Sequence, residues 1–399
     1  MLGNFNLDKT YQYLLIALAF FLPLTVFGGN LIIALIVLLW LFSGDYKAKY
    51  NQIMSSKLMI ASILFFGLHI LGLLWTEDLV WGLHILHKMW DFVLIFPILY
   101  TIVKKEYIMY YVNAFLLAIA LTEIASYLVW FELVEPFKNA SVANPTPFMS
   151  HISYNPILAF AIYLVLHEIF FNNKLTKLVF FLYSFFAIIM AINMFITSGR
   201  AGQFAFFLMI SILIFQIFDK QRIKSLLVIL IMIPVGFLSA YETSDVFNER
   251  VNSAYNDIKK YSESKYSSVG LRLSFTINSW EIIRQSPFIG VGTGDFRSEY
   301  KKINQINTPE LPSTTNPHNM YILVLVQLGL LGLISMLSIF YYQIKLSFFA
   351  SNKFIKDVGV ALPLMFLVIM WSDSYLLGHY TTLLFVFFSS FLYKDFEKS

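Results

Sequence analysis

The sequence predicts an all-α polytopic membrane protein of about twelve transmembrane helices, and three observations carry that expectation. The chain of 399 residues is 58% hydrophobic and only 13% charged, where a soluble domain carries about 25% charged residues. Apolar runs of the length that spans the hydrocarbon as a helix, about 17–25 residues, recur from end to end. Backbone polar groups find no water in lipid, so runs of this kind must be helical.

The expected spans are 11–27, 29–43, 58–75, 89–103, 107–131, 153–171, 178–197, 201–218, 225–241, 319–342, 359–372 and 379–393. They divide the chain into helices one to nine over 1–241, a long segment 242–316, and helices ten to twelve over 317–399. No cleavable leader is expected, because Ala17-Leu18-Ala19 lies inside the first apolar run rather than after it. No internal repeat and no low-complexity tract is visible.

Orientation follows from basic residues in short loops. With the N-terminus cytoplasmic, sixteen bases from Lys9 to Lys398 fall in inner segments, and the short outer loops hold only Lys88, Lys138 and Arg200. Both termini are therefore expected inside. The net charge of +4 gives no reason to expect nucleic acid. With no cysteine, a disulfide framework or thiolate zinc site is excluded.

Two stretches depart from this lattice. One is the outer loop 132–152, with Asn144-Pro145-Thr146-Pro147 and His151. The other is segment 242–316, too long for a plain connector. Within it, Leu271, Phe275 and Ile282, with Leu273, Ile277 and Trp280, suggest a helix on or near the membrane surface, ended by Pro287.

The polar residues carry the functional signal. Of six arginines, five fall on the expected outer side: Arg200, Arg250, Arg272, Arg284 and Arg297. Arginine's planar fork binds phosphate in a bidentate way that lysine cannot copy, so an outward cluster suggests an anionic ligand such as a phosphorylated lipid head. The alternative, favoured for Arg250 and Arg284, is snorkelling to lipid phosphates or pairing with loop acids. Arg200 stands in Thr197-Ser198-Gly199-Arg200-Ala201-Gly202-Gln203, where almost nothing joins two apolar helices; a charge held there is a functional candidate by default.

His318, in Asn316-Pro317-His318-Asn319, sits where the long segment enters the tenth span. Histidine is suited to taking a proton near neutral pH; the alternative is a polar helix cap with Asn319 making local bonds. Gly329 and Gly332 follow, where small residues allow close helix packing. Gly290-Val291-Gly292-Thr293-Gly294 reads as a flexible turn rather than a phosphate loop, since it lacks a strand-to-helix setting. His84, His87 and Asp91 read as an interfacial polar face rather than a metal site, and His69 and His167 as hydrogen-bonded packing residues.

In order, Ser198-Gly199-Arg200-Ala201-Gly202, Arg272 with Trp280, Ser286-Pro287-Phe288-Ile289-Gly290-Val291-Gly292 and His318-Asn319 resemble the O-antigen ligase and polymerase superfamily. The most specific element is His318-Asn319, nine residues, Gly329, two residues, Gly332, which resembles the ligase signature. The resemblance covers roughly residues 150–340. It implies a glycosyltransferase-C-like, metal-independent, inverting enzyme of the bacterial inner membrane, with its site facing the periplasm and no cofactor. A glycan on undecaprenyl pyrophosphate would move to lipid A–core, with Arg200 and Arg272 holding the pyrophosphate and His318 assisting the acceptor hydroxyl. Asn319, Arg297 and His151 are further candidate substrate contacts. The polymerases share the arginine and Pro-x-x-Gly-x-Gly elements, so O-antigen polymerase is the nearest alternative, followed by a protein O-oligosaccharyltransferase. A transporter or flippase is the non-enzyme alternative, although its polar groups would gather near the membrane midplane.

Overall fold

The computed structural model describes residues 6–138, 140–259 and 265–396. Lys398, counted above as an inner base, lies outside them. The described residues contain helices and turns with no strand; one isolated bridge, Ser141 to Asn144, closes the loop after the seventh helix.

The helices begin with α1 Leu7–Phe21, α2 Val26–Phe42, α3 Tyr46–Ser55, α4 Lys57–Leu71, α5 Leu79–Met89 and α6 Ile95–Ile102. Next come α7 Ile108–Trp130, α8 His151–Phe171, α9 Lys177–Ile196, α10 Arg200–Ile217, α11 Arg222–Thr243 and α12 Asp245–Lys259. The last five are α13 Ser268–Gln285, α14 Phe296–Asn307, α15 Met320–Phe349, α16 Lys353–Ile369 and α17 His379–Leu392.

Every expected span falls mainly on helix. Among the described residues, eight helical stretches are long and apolar enough to cross a membrane, or nine if α2 and α3 count as one span. α1, α16 and α17 are shorter, with 15, 17 and 14 residues. The fourth span was expected at 89–103 but runs from Leu79 to Ile102. His84, His87 and Lys88 dilute its hydropathy there, yet the Asp78 side chain caps α5 by accepting from Trp81 N–H at 3.0 Å, and a 3-10 turn carries the chain into α6.

The chain divides into two compact units. The first comprises 1–43, 102–251 and 349–369; the second comprises 44–101, 252–348 and 370–399. Segment 242–316 holds the end of α11, all of α12, α13 and α14, and the turn between the last two. The expected amphipathic helix is α13, which buries Phe275, Ile282 and Ile283 while Leu273, Ile277 and Trp280 stay exposed.

In the first unit α8 is the central helix: every residue from Tyr154 to Val165 is buried, as expected for a helix that is apolar all round. At its far end His167 Nε2 lies 3.0 Å from Asp357 Oδ2 on α16, which fits the packing role expected for this histidine. In the second unit α17 is buried from Thr381 to Leu392. Phe385 at its middle contacts Phe92 and Phe340 at ring-centroid distances of 6.0 and 5.6 Å.

Candidate functional site

In the first unit the glycine-rich motif around Arg200 is a close crossing of α8 and α10. A Cβ on Gly199 would come within 2.6 Å of the Asn155 side chain, and one on Gly202 within 2.2 Å of Asn155 Cβ. Asn155 is fully buried, and its polar atoms are used. Its Oδ1 accepts from Thr197 Oγ1 at 2.9 Å, and its Nδ2 donates to Gly199 O at 3.4 Å. Gln203 Nε2 donates to Thr197 O at 3.0 Å and to Met194 O at 3.3 Å, and Thr197 Oγ1 donates to Asn193 O at 3.0 Å, so several carbonyls left over where α9 stops find partners inside the protein.

These contacts fix Arg200 as the first residue of α10. Gly199 is the N-cap and supplies no side-chain cap, so the N-terminal end of the helix dipole and the guanidinium are on the same turn. His151 opens α8 beside this junction: Asn144 bonds the His151 Nδ1 at 2.7 Å and accepts from Ser198 N–H at 3.2 Å.

In the second unit the chain turns into α15 through Asn316-Pro317-His318-Asn319. Asn316 Oδ1 accepts from His318 N–H at 3.0 Å, a local side-chain turn, and His318 takes φ +53°. Asn319 is the helix cap: its Oδ1 accepts from Ile322 N–H at 3.1 Å, and its Nδ2 donates to Trp371 O at 3.3 Å. The helix cap is therefore Asn319, and His318 precedes it in the turn.

His318 Nδ1 lies 3.3 Å from Asp373 Oδ2, and one ring face stacks on Phe275 of α13 at 6.3 Å. With a carboxylate as partner, Nδ1 of the neutral ring is the donor, which leaves the lone pair on Nε2. Nε2 has no hydrogen-bond partner among the described residues, and the side chain is 35% exposed. Asp373 is itself held, accepting from Ser374 N–H at 2.7 Å and Asn316 Nδ2 at 3.3 Å. Burial opposes its charge, but the hydrogen bond from His318, that ring's charge whenever it is protonated, the Ser374 N–H and the charge of Arg272 together keep its carboxyl below the usual value. Arg272, one helical turn before Phe275 on α13, thus belongs to the same electrostatic cluster as His318.

The Pro-x-x-Gly-x-Gly element and the glycine of the histidine signature meet. Gly329 breaks α15 with φ +60°, which frees backbone groups mid-helix. Val291 N–H donates to Val326 O at 2.9 Å and Gly292 N–H to Gln327 O at 3.0 Å. In return Leu330 N–H donates to Pro287 O at 2.8 Å and Leu331 N–H to Phe288 O at 3.2 Å. A Cβ on Gly329 would sit 2.3 Å from Phe288 C, and one on Gly290 2.3 Å from Gln327 C. Two expectations are corrected here. The glycine run is a packed turn, not a flexible one, because its glycines have positive φ and meet backbone. Gly329 serves a helix break filled by a loop rather than helix-against-helix packing, and Gly332 lies against Leu328 and Val324 of its own helix.

Beyond the turn, the Asp295 carboxylate accepts from Thr76 Oγ1 at 2.6 Å and from the N–H groups of Glu77 and Asp78 at 2.8 Å. Arg297 pairs with Asp78 at 2.7 Å and lies over the Trp81 ring at 4.6 Å. Of the remaining histidines, His69 Nδ1 bonds Phe65 O at 3.0 Å, while His84 and His87 lie against Trp81 and Trp90.

Sequence reasoning missed Asp373 and Asn155. Asp373 could have been found as the sole charge in the expected outer connection between the last two spans. Asn155 carries no comparable signal.

No curated protein matches the chain. A family model described as O-antigen ligase matches residues 185–337, an interval that includes Arg200, Arg272, the packed turn, His318 and the break at Gly329. Over those residues, less than half of its length, the chain is similar to the O-antigen ligase family.

Proposed function

We propose that this multi-pass membrane protein is an O-antigen ligase-type glycosyltransferase, moving a glycan from undecaprenyl pyrophosphate to a sugar of lipid A–core at the periplasmic face of a bacterial inner membrane. The observation that carries this reading is the His318–Asp373 pair, with Nε2 open and Arg272 in the same electrostatic cluster. A carboxylate on Nδ1 orients the ring, and the free Nε2 takes the proton of the acceptor hydroxyl. The acceptor oxygen then forms its bond to the anomeric carbon as the bond from that carbon to the pyrophosphate oxygen breaks, with inversion. The electron pair leaves with pyrophosphate.

Departure of the diphosphate builds negative charge, and fixed guanidinium groups stabilise it more in the transition state than in the ground state. Arg200 and Arg272 fill that role, and the α10 N-terminus adds to it at Arg200. The glycosyl diphosphate donor supplies the driving force through its bond from the anomeric carbon to a good leaving group, so neither ATP nor a metal ion enters the scheme. Asn319 holds the turn that presents His318 and lies next to the acceptor. Arg297 and His151 are outlying substrate contacts, each anchored by its own partner, Asp78 and Asn144. Both termini face the cytoplasm in this scheme.

The test is transfer in vitro from an undecaprenyl-pyrophosphate glycan to lipid A–core, with and without a chelator. Arg200→Ala, Arg272→Ala and His318→Ala are expected to abolish transfer while the protein still inserts, and the chelator to leave the wild type active. Full transfer by both arginine variants removes the phosphate clamp; wild-type transfer by His318→Ala removes the general base. In cells, loss of a ligase leaves polymer on the lipid carrier, whereas loss of a polymerase leaves single-repeat caps on the core.

A further inference from the structure

A groove of about 1060 Å³ runs between α7 and α9 inside the first unit. Its walls include Leu117, Ala120 and Ile124 on α7, and Phe186, Ile189 and Ile192 on α9. On α7 the lining extends from Asn113 to Trp130, about 25 Å at the helical rise per residue. That is most of the hydrocarbon thickness of a bilayer, about 30 Å. The long axis of the groove therefore suits a chain lying along the helices rather than a compact ligand. Its walls are almost wholly apolar, and the one acidic residue among them, Glu123, is buried with its carboxyl accepting from Tyr154 Oη at 2.5 Å.

Two features separate this groove from a plain lipid-facing seam. Tyr127 Oη donates to Ile189 O at 2.7 Å, which pins α7 to α9 along the groove. The second is where the α9 wall leads. From Ile192 the helix runs through Asn193, which donates to Ser126 Oγ at 2.8 Å, to Thr197 on buried Asn155, and so to Arg200. A lipid whose diphosphate is held at Arg200 must send its hydrocarbon away from that junction, and the α9 wall is continuous with it.

We propose that the α7–α9 groove seats the polyprenyl tail of the lipid-diphosphate donor. This rests on the reading of Arg200 as a diphosphate ligand, and the experiment keeps the two apart. A photoreactive residue replacing Ile124 in the full-length protein is challenged with undecaprenyl pyrophosphate in phosphatidylglycerol vesicles, with the same label at exposed Ile231 of α11 as control. The expected result is a cross-link to the polyprenyl lipid at position 124 that excess unlabelled undecaprenyl pyrophosphate removes and extra phosphatidylglycerol does not, with none at 231. Equal competition by phosphatidylglycerol, or equal labelling at 231, means ordinary bilayer lipid and overturns the proposal.

In parallel, Ala120→Trp narrows the groove. Its KM should rise by about tenfold or more for a glycan donor with the full-length tail, with kcat kept and the KM for a short-chain prenyl donor unchanged. Equal effects on both donors, or none, count against the groove. A specific cross-link without any glycan transfer would leave the groove standing and remove the transferase reading.

Discussion

Asp373 Oδ2 sits 3.3 Å from His318 Nδ1 across the turn that opens α15, and this one pair fixes which ring nitrogen faces outward. Asp373→Asn would present an amide in place of the carboxylate and favour the wrong tautomer. We expect kcat for glycan transfer to fall by about 10²–10⁴-fold, by analogy with carboxylates that orient other catalytic histidines, while donor KM stays nearly constant. Steady-state kinetics with a varied donor checks this; a changed KM with normal kcat would mark Asp373 as a binding group instead.

The same carboxylate gives a pH signature. Its folded value lies below the ordinary 3.8, so its contribution to stability is fully present above the unfolded value and is lost as pH falls through the folded one. The difference in melting temperature between wild type and Asp373→Asn in detergent should be flat with respect to Asp373 titration between about pH 5 and 8, and shrink below about pH 4. A gap that does not shrink at acid pH would mean that the Asp373 carboxyl is not held below its ordinary value.

Gly329→Ala and Gly67→Ala form a matched pair within the second unit. At Gly329 a methyl meets Phe288 and Ile289 backbone at a positive φ, whereas at Gly67 of α4 it meets nothing within 4 Å. The first combines strain of about 1–3 kcal/mol with overpacking of similar size. The second replaces a helical glycine and should stabilise by about 0.5–1 kcal/mol. Thermal unfolding in detergent should shift in opposite directions for the two.

Arg297→Ala tests an outlying contact. Its pair with Asp78 is partly exposed, with side-chain exposures of 41% and 19%, so stability should change by about 1 kcal/mol or less. Transfer is expected to fall by about tenfold at most, against the collapse expected for Arg272→Ala. A collapse equal to that of Arg272 would promote Arg297 to the diphosphate clamp itself.

Much of the fold was legible because lipid allows one answer to a long apolar run, and each of the twelve expected stretches falls mainly on helix, although 11–27 runs across the turn between α1 and α2 and 359–372 runs past the end of α16. The boundary that slipped, Leu79 rather than 89, did so where His84, His87 and Lys88 masked a helix that Asp78 caps. The order Arg200, Arg272, glycine turn, His318 was readable as a motif string. Asp373 was not, because it lies 55 residues beyond its histidine and only the packing of the α16–α17 connection brings it back. Asn155 was hidden for a similar reason: the spacing of Gly199 and Gly202 announces a close approach but does not name what approaches. Nor does a glycine's presence distinguish a loose turn from one wedged against backbone, and that difference reversed the reading of residues 290–294.

The interlock of the Pro287–Gly292 turn with the broken helix at Gly329 makes two distant signatures a single inherited object. Neither half can be exchanged between homologues alone, since a foreign turn would meet a notch cut for another, and a foreign notch would leave peptide groups facing oil. Recombination should therefore preserve the two together while the stretch that separates them, including α14, is free to drift in length and composition.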